Sequence, residues 1–294
     1  MKKFYLFICI VVVLFGCGSG GSGESSTPID CLNPSTEHIE YMGYYWGMST
    51  AYGNFAEDVA DYTNMINIHI TGDWNTNIAL IEEAIDRGMA PLLYLDGRSV
   101  WMNQDWSRRA HPNQNFWDTF VIKLSPYAEY FAGFYVFDEP NLYGIDTSIQ
   151  EWIISYYNQA FPDIPTWATY CRFNNPLPRN LDIVSATPSY GQINAEQYNY
   201  YLGQLKMLMY PHQRIAVTMD AYHPDPNISI SIEEWKADMA QDYFKIAKCD
   251  SRVMALYIFV IMSFDDHLGV EDMPILEEEL INIWDEIQTD KGGV

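Results

Sequence analysis

The chain has 294 residues, with 39 acidic side chains against 16 Lys and Arg and a formal net charge of −23. That excess of negative charge excludes nucleic acid as a partner, because phosphate recognition needs clustered Lys and Arg. It does not exclude neutral ligands, and the five cysteines show no metal-ligand spacing.

The N-terminus combines Met1-Lys2-Lys3, an apolar run over residues 4–15 and Gly16-Cys17. These are a positive n-region, an h-region and a cysteine at the cleavage point. The run falls well short of the roughly 20 apolar residues that span a bilayer. Leu14-Phe15-Gly16-Cys17 is similar to the bacterial lipobox. That likeness implies acylation of Cys17 and an exported protein held by a lipid anchor at the outer membrane or cell surface. Residues 17–30 are then a flexible Gly/Ser-rich tether, residues 1–16 a leader, and residues 31–290 one large α/β domain expected to be monomeric. Cys31, Cys171 and Cys249 remain in that domain. One disulfide is open to them, with the pairing unspecified.

Short apolar strands now alternate with amphipathic helices. Strands are expected over 41–48, 64–70 and 91–95, with helices over 55–62 and 77–87, the second stopped by Gly88. A long loop over 96–115 carries Trp101 and Trp106, and a helix over 116–131 is interrupted near Pro126. The fourth strand, 133–137, ends in Asp138-Glu139-Pro140, where proline stops the ladder. A helix over 147–161 leads to strands at 166–170 and 181–187, whose Pro/Asn-rich connection leaves little room for a helix. A helix over 195–209, a strand over 214–219, and a helix over 231–247 opening on a Ser231–Glu234 capping box come next. A strand over 254–262 and a helix over 274–287 close the chain. Eight strands alternating with about seven helices specify a (β/α)8 TIM barrel in a single domain. A doubly wound sheet would want a glycine-rich phosphate loop after its first strand, and residues 47–53 are not one.

In such a barrel the chemistry stands at the carboxyl ends of the strands. There the sequence places Tyr45 and Trp46, His69, Asp96 and Arg98, Asp138 and Glu139, Tyr170 and Arg172, Tyr190, Asp220 and Tyr222, and Asp265 with Asp266. Aromatic side chains among carboxylates and Arg suit a carbohydrate, whose rings stack while its hydroxyls hydrogen-bond. Glycoside cleavage needs two carboxyl groups, one to protonate the leaving oxygen and one to attack or to activate water. Glu139 is the candidate acid and Asp220 its candidate partner, with Asp265 or Asp266 as the alternative. The expected sugar contacts are Trp46, His69, Asp96, Arg98, Trp101, Asp138, Tyr170, Arg172, Tyr190, Tyr222 and Asp265. His69 reads equally as a satisfied core histidine. Trp152, Trp235 and Trp284 lie on helices and are expected in the core. Asp265-Asp266-His267 hints at a metal, but no His-x-His stands on the first strand, so neither metal nor cofactor is expected.

Asp138-Glu139-Pro140 resembles the Asn-Glu-Pro motif that ends strand four in the clan A glycoside hydrolases. The Asp-Glu-Pro form is similar to glycoside-hydrolase-like barrels, many of them bacterial lipoproteins. The resemblance implies that Glu139 is the acid/base, that Asp138 takes the place of the sugar-contacting Asn, and that the substrate is a poly- or oligosaccharide. At strand seven the family has a Glu nucleophile, whereas this chain reads Thr218-Met219-Asp220. At strand eight the family's Trp is absent. The alternative function is a glycan-binding surface lipoprotein on the same scaffold.

Overall fold

A computed structural model of the chain describes residues 31, 33–49, 53–95, 98–101, 112–173, 175–187, 195–221, 230–259 and 269–292. Eight parallel strands run in chain order: β1 (Tyr41–Ser49), β2 (Met65–Ile70), β3 (Ala90–Leu95), β4 (Gly133–Asp138), β5 (Thr166–Tyr170), β6 (Ile183–Ala186), β7 (Arg214–Asp220) and β8 (Val253–Phe259). Each pairs with the next, and β8 returns to β1 through Tyr41↔Ala255 to Tyr44↔Ile258, which closes the barrel. A two-residue strand, Gly53–Asn54, pairs antiparallel with the end of β1. The (β/α)8 expectation is correct.

The described helices are α1 (Ala56–Val59), α2 (Trp74–Asp86), α3 (Arg98–Trp101), α4 (Gln114–Leu124), α5 (Thr147–Ala160), α6 (Ala195–Leu208), α7 (Ile230–Lys248) and α8 (Pro274–Asp290). Gly88, at φ +77°, takes the left-handed position after α2. Its N–H reaches Ile85 O and that of Met89 reaches Ala84 O, both at 2.9 Å, which satisfies carbonyls the helix leaves open. Pro126 lacks the N–H an α-helix needs, and the chain passes from α4 into a 3-10 segment, Ser125–Tyr130. Among the described residues between β5 and β6 there is no helix, as the Pro/Asn-rich connection implied.

Two local expectations change. Part of the long loop after β3 is helical, since α3 occupies Arg98–Trp101. Ser231 lies inside α7, which already includes Ile230, so it is not the cap of a box. Glu233 from the same turn serves another helix: its Oε1 accepts the Ile275 N–H at 2.5 Å and covers the open end of α8.

Strand alternation divides the core into two layers. Outward residues such as Tyr44, Ile66, Leu93, Phe134, Val184, Leu256 and Ile258 pack under the helices. Inward residues, among them Tyr45, Met65, Leu92, Tyr135, Trp167, Ala216 and Tyr257, fill the barrel. Gly43 belongs to the inner phase of β1, where a Cβ would overlap the Met65 carbonyl of β2; the two strands meet too closely there for any side chain. Trp152 and Trp284 pack against the outer layer as expected, but Trp235 does not: it is 41% exposed on α7.

Cys31 and Cys249 form a disulfide, which selects one of the pairings the sequence left open; Cys171 is buried and takes no part in it. The bridge ties the segment before β1 to the residue after α7, 218 positions away. Thr36 reinforces that junction by donating to Asp290 Oδ2 at 2.8 Å. The N-terminal segment is therefore fixed at the end of the barrel where strands begin, opposite the ends that carry Asp138 and Asp220.

Candidate active site

The site is built on an irregularity in β4. Its ladder to β5 runs Tyr135↔Trp167 and then Phe137↔Ala168, so one residue, Val136, is skipped. A bulge of this kind shifts the phase of the side chains beyond it. Strict alternation would leave Asp138 on the outer face with Phe134 and Val136. Instead Val136 and Phe137 both join the outer layer, and Asp138 turns inward beside Tyr135.

Two phenols hold the Asp138 carboxylate. Tyr45 OH donates to its Oδ2 and Tyr135 OH to its Oδ1, each at 2.9 Å. Both tyrosines are buried in a ring cluster, with Tyr45 5.6 Å from Tyr135, 5.6 Å from Tyr257 and stacked on Phe259 at 5.3 Å. Burial pushes both phenols well above their ordinary range, and the neighbouring Asp138 charge pushes them further. They stay protonated and remain donors at every physiological pH. Asp138 is thus a positioned anion in the barrel mouth.

Glu139 comes next, with an unusual backbone. It is the one non-glycine residue at positive φ among the described residues, at +49°. Its N–H donates to Thr169 O and its C=O accepts from Leu142 N, both at 2.9 Å, so β5 and the following turn impose the conformation. A left-handed L-residue costs about 1–2 kcal/mol and persists only where its surroundings enforce it, which is characteristic of functional sites. The residue is buried, 3% exposed.

Beside Asp138 lies a small cavity lined by Tyr45, Tyr135, Asp138, Thr169, Thr187, Thr218, Tyr257 and Phe259, with a volume of about 10 Å³. Its polar wall comes from the ends of β5 to β8. Thr169 stands beside the Tyr135 hydroxyl. Thr218 is fixed by a hydroxyl–hydroxyl bond to Ser185 and by its N–H, which donates to Tyr198 OH at 3.0 Å.

The other expected sugar contacts divide. His69, half-buried at the end of β2, stacks on Tyr94 at 5.0 Å within the same inner phase as Tyr45 and Tyr135. Arg172 is exposed just past β5, and its carbonyl accepts from Asn141 Nδ2 at 2.9 Å. Trp101 is a correction. Its indole is 1% exposed and packs against Trp117, Trp152, Tyr156 and Tyr157, with centroids 5.1–6.0 Å away, so no ring face is left for a sugar. Tyr170 is a second correction: it faces the outer layer, 1% exposed, and its hydroxyl donates to Gln150 Oε1 at 2.8 Å. Trp46, Arg98 and Asp220 belong by their backbone to β1, α3 and β7. Their side chains lie outside the described residues, as do all of Cys17, Asp96, Trp106, Tyr190, Tyr222, Asp265 and Asp266. Among the described residues, no three His, Cys, Asp or Glu stand close enough to hold a metal ion.

Sequence reading missed Tyr135, Thr169, Thr187, Thr218, Tyr257 and Phe259, all of them within strands or one residue past a strand. The available signal was alternation: Tyr257 and Phe259 share the phase of Ala255 in β8. Residues inside a strand escape a search confined to its terminus.

No protein-family model matches the sequence, and no curated protein matches it. Solved structures do. A complex of a GH113 β-1,4-mannanase aligns with a TM-score of 0.58 at 13% identity, covering 84% of this chain and 99% of that one. A xylanase 10B from Thermotoga petrophila, in complex with xylobiose, gives 0.57 at 13% identity over 87% and 99%. A thermostable mutant of xylanase Xyn10A from Cellvibrio japonicus gives 0.58 at 10% identity over 85% and 98%. The chain has the barrel fold of these glycoside hydrolases. The expected resemblance to a glycoside-hydrolase-like barrel therefore holds at the level of architecture, across nearly the whole described chain.

Proposed function

We propose that the protein is an exported glycoside hydrolase that cleaves O-glycosidic bonds of a poly- or oligosaccharide, with Glu139 as general acid. The observation that carries this reading is the strained backbone at Glu139, directly beside the phenol-held Asp138, at the strand end where barrels place their chemistry. In the reaction Glu139 protonates the leaving glycosidic oxygen as the bond to the anomeric carbon breaks. A second carboxylate, Asp220 or else Asp265 or Asp266, either takes a proton from the water that attacks that carbon, or attacks it directly to form a glycosyl ester, which water then hydrolyses as Glu139 takes back a proton. The Asp138 anion stabilises the positive charge that develops on the sugar ring. Trp46, Asp96, Arg98, Tyr190 and Tyr222 are proposed as further sugar contacts from the loops and strand ends around the mouth.

The location belongs to the same proposal. Acylation of Cys17 would tether the protein to the cell envelope, and the Cys31–Cys249 disulfide supports an oxidising compartment. The test is hydrolysis of a panel of polysaccharides and aryl glycosides by the protein and by Glu139→Gln. Cleavage that falls at least about 100-fold in the variant, with unchanged circular dichroism, supports the enzyme. Glycan binding without cleavage, unaffected by Glu139→Gln, would leave a carbohydrate-binding lipoprotein instead.

A further inference from the structure

The cavity beside Asp138 contains more hydrogen-bonding capacity than the protein uses. Among the described residues, Thr169 Oγ1, Thr187 Oγ1 and Tyr257 OH are buried without a hydrogen-bond partner, and all three residues line this cavity. Thr169 lies beside the Tyr135 hydroxyl, which leaves Thr187 and Tyr257 as the two clear of it. Thr187 is 8% exposed and Tyr257 2%. Three unsatisfied hydroxyls in one cavity are unusual, because buried polar groups in native proteins are nearly always paired. Their surroundings are fixed: Thr218 is bonded to Ser185, and Tyr257 packs among Tyr45, Tyr135 and Trp167.

The chemistry of the lining limits what can enter. Asp138 only accepts: Tyr45 OH donates to one oxygen and Tyr135 OH to the other, and each carboxylate oxygen carries more than one lone pair. Thr187 and Tyr257 can each donate or accept. One incoming hydroxyl matches this set, donating to the carboxylate and accepting from a threonine or tyrosine. A carboxylate or sulfate group does not, since it brings a second negative charge beside Asp138 and has no hydrogen to give. The chain's net charge of −23 opposes such a ligand at longer range as well. Size adds a third restriction: about 10 Å³ holds one water-sized group and no sugar ring.

We propose that this cavity is a specificity subsite that receives a single hydroxyl of a neutral sugar and rejects an anionic substituent at the same position. The proposal rests on the carbohydrate reading above and narrows it: neutral glycans are ligands, and uronic-acid or sulfated glycans are not. When no sugar is bound, a water fills the role of the hydroxyl.

Calorimetric binding and reducing-sugar release would be measured with xylo-, manno-, cello- and galacto-oligosaccharides, beside oligogalacturonate and oligomannuronate. Wild type is expected to prefer at least one neutral series over both uronates by about 100-fold or more. Tyr257→Phe and Thr187→Val are each expected to weaken that series about 10-fold, the loss of one hydrogen bond. Asp138→Asn should narrow the gap between neutral and anionic ligands. Tyr257→Phe removes only an unpartnered hydroxyl, so it keeps the test valid even where Thr187→Val folds poorly. Neutral binding indifferent to both variants, or uronates bound as tightly as neutral sugars, overturns the subsite and leaves a cavity for a structural water only. If no saccharide is bound or cleaved, the carbohydrate reading itself fails, an outcome distinct from the previous one.

Discussion

Asp138 and Tyr45 lie 93 residues apart in the chain and meet at 2.9 Å inside the barrel mouth, phenol to carboxylate. The contact exists because β1 is drawn into the closed barrel and because a bulge in β4 rotates Asp138 inward. With Tyr135 on the other oxygen, it makes Asp138 a fixed charge instead of a mobile surface acid. Removing either hydroxyl should release one side of the carboxylate. Tyr45→Phe and Tyr135→Phe are each expected to lower kcat/KM by about 10- to 100-fold, equivalent to about 1.5–3 kcal/mol for a hydrogen bond to a charged group. Circular dichroism should show the fold intact. Steady-state kinetics on the best substrate of the panel is the check, and unchanged kcat/KM in both variants would remove Asp138 from the mechanism.

Glu139 offers a test that separates strain from chemistry. Glycine adopts φ near +49° without the steric penalty that an L-residue carries, although it gains entropy in the unfolded chain. Glu139→Gly should therefore be as stable as wild type, or more stable by up to about 1 kcal/mol, while losing all hydrolysis. Glu139→Ala keeps the strain and should fall below the glycine variant by about 1 kcal/mol. Urea denaturation of the three proteins decides it. Equal stabilities for the Ala and Gly variants would mean that the backbone is not strained by the side chain.

Trp101 stands where a sugar contact is expected and instead stabilises the helical layer. Trp101→Ala should cost about 3–5 kcal/mol, the usual loss for a large aromatic deleted from a core. Below its lowered Tm the variant should bind glycans with wild-type affinity. A variant of normal stability with weakened glycan binding would return Trp101 to the site.

Acid should loosen the junction next to the disulfide. Asp250 accepts from Arg252 at 3.0–3.1 Å and from Lys206 at 2.7 Å. Burial on its own would raise its pKa, but these bonds outweigh burial and hold the carboxyl well below the ordinary range. Because the folded value lies below the unfolded one, the interaction contributes fully above about pH 4 and is lost as the pH falls toward the folded value. Allowing for solvent screening of a partly exposed cluster, it is worth about 1–2 kcal/mol at neutral pH. Asp250→Asn should be less stable by that amount at about pH 7, and the difference from wild type should shrink as the pH drops below about 4. A gap that stays constant across that range would assign the effect to packing rather than charge.

Much of the architecture was legible in one dimension. Strand and helix alternation depends on local periodicity, so the eight strands, the stop at Gly88 and the break at Pro126 could be placed from neighbouring residues alone. The end of β4 was legible for the same reason: Pro140 cannot continue a ladder, and the two acids before it fall at a strand terminus. Side-chain direction was another matter. Trp101 and Tyr170 sit where a substrate contact is expected by position, yet their rings pack outward among helices that lie far away in sequence. Tyr135 and Tyr257 looked like ordinary buried strand residues and turned out to line the cavity.

The sequence by itself determined the barrel, its closed order of strands and the place of Asp138-Glu139-Pro140, because each arises from local propensity and chain connectivity. Only the tertiary structure decided that Cys31 pairs with Cys249, that a bulge turns Asp138 toward Tyr45, and that Thr187 and Tyr257 face one cavity. These facts depend on closing a sheet whose first and last strands are about 200 residues apart and on one skipped rung in a ladder. A single skipped residue reverses which face a side chain meets, and no local pattern records it.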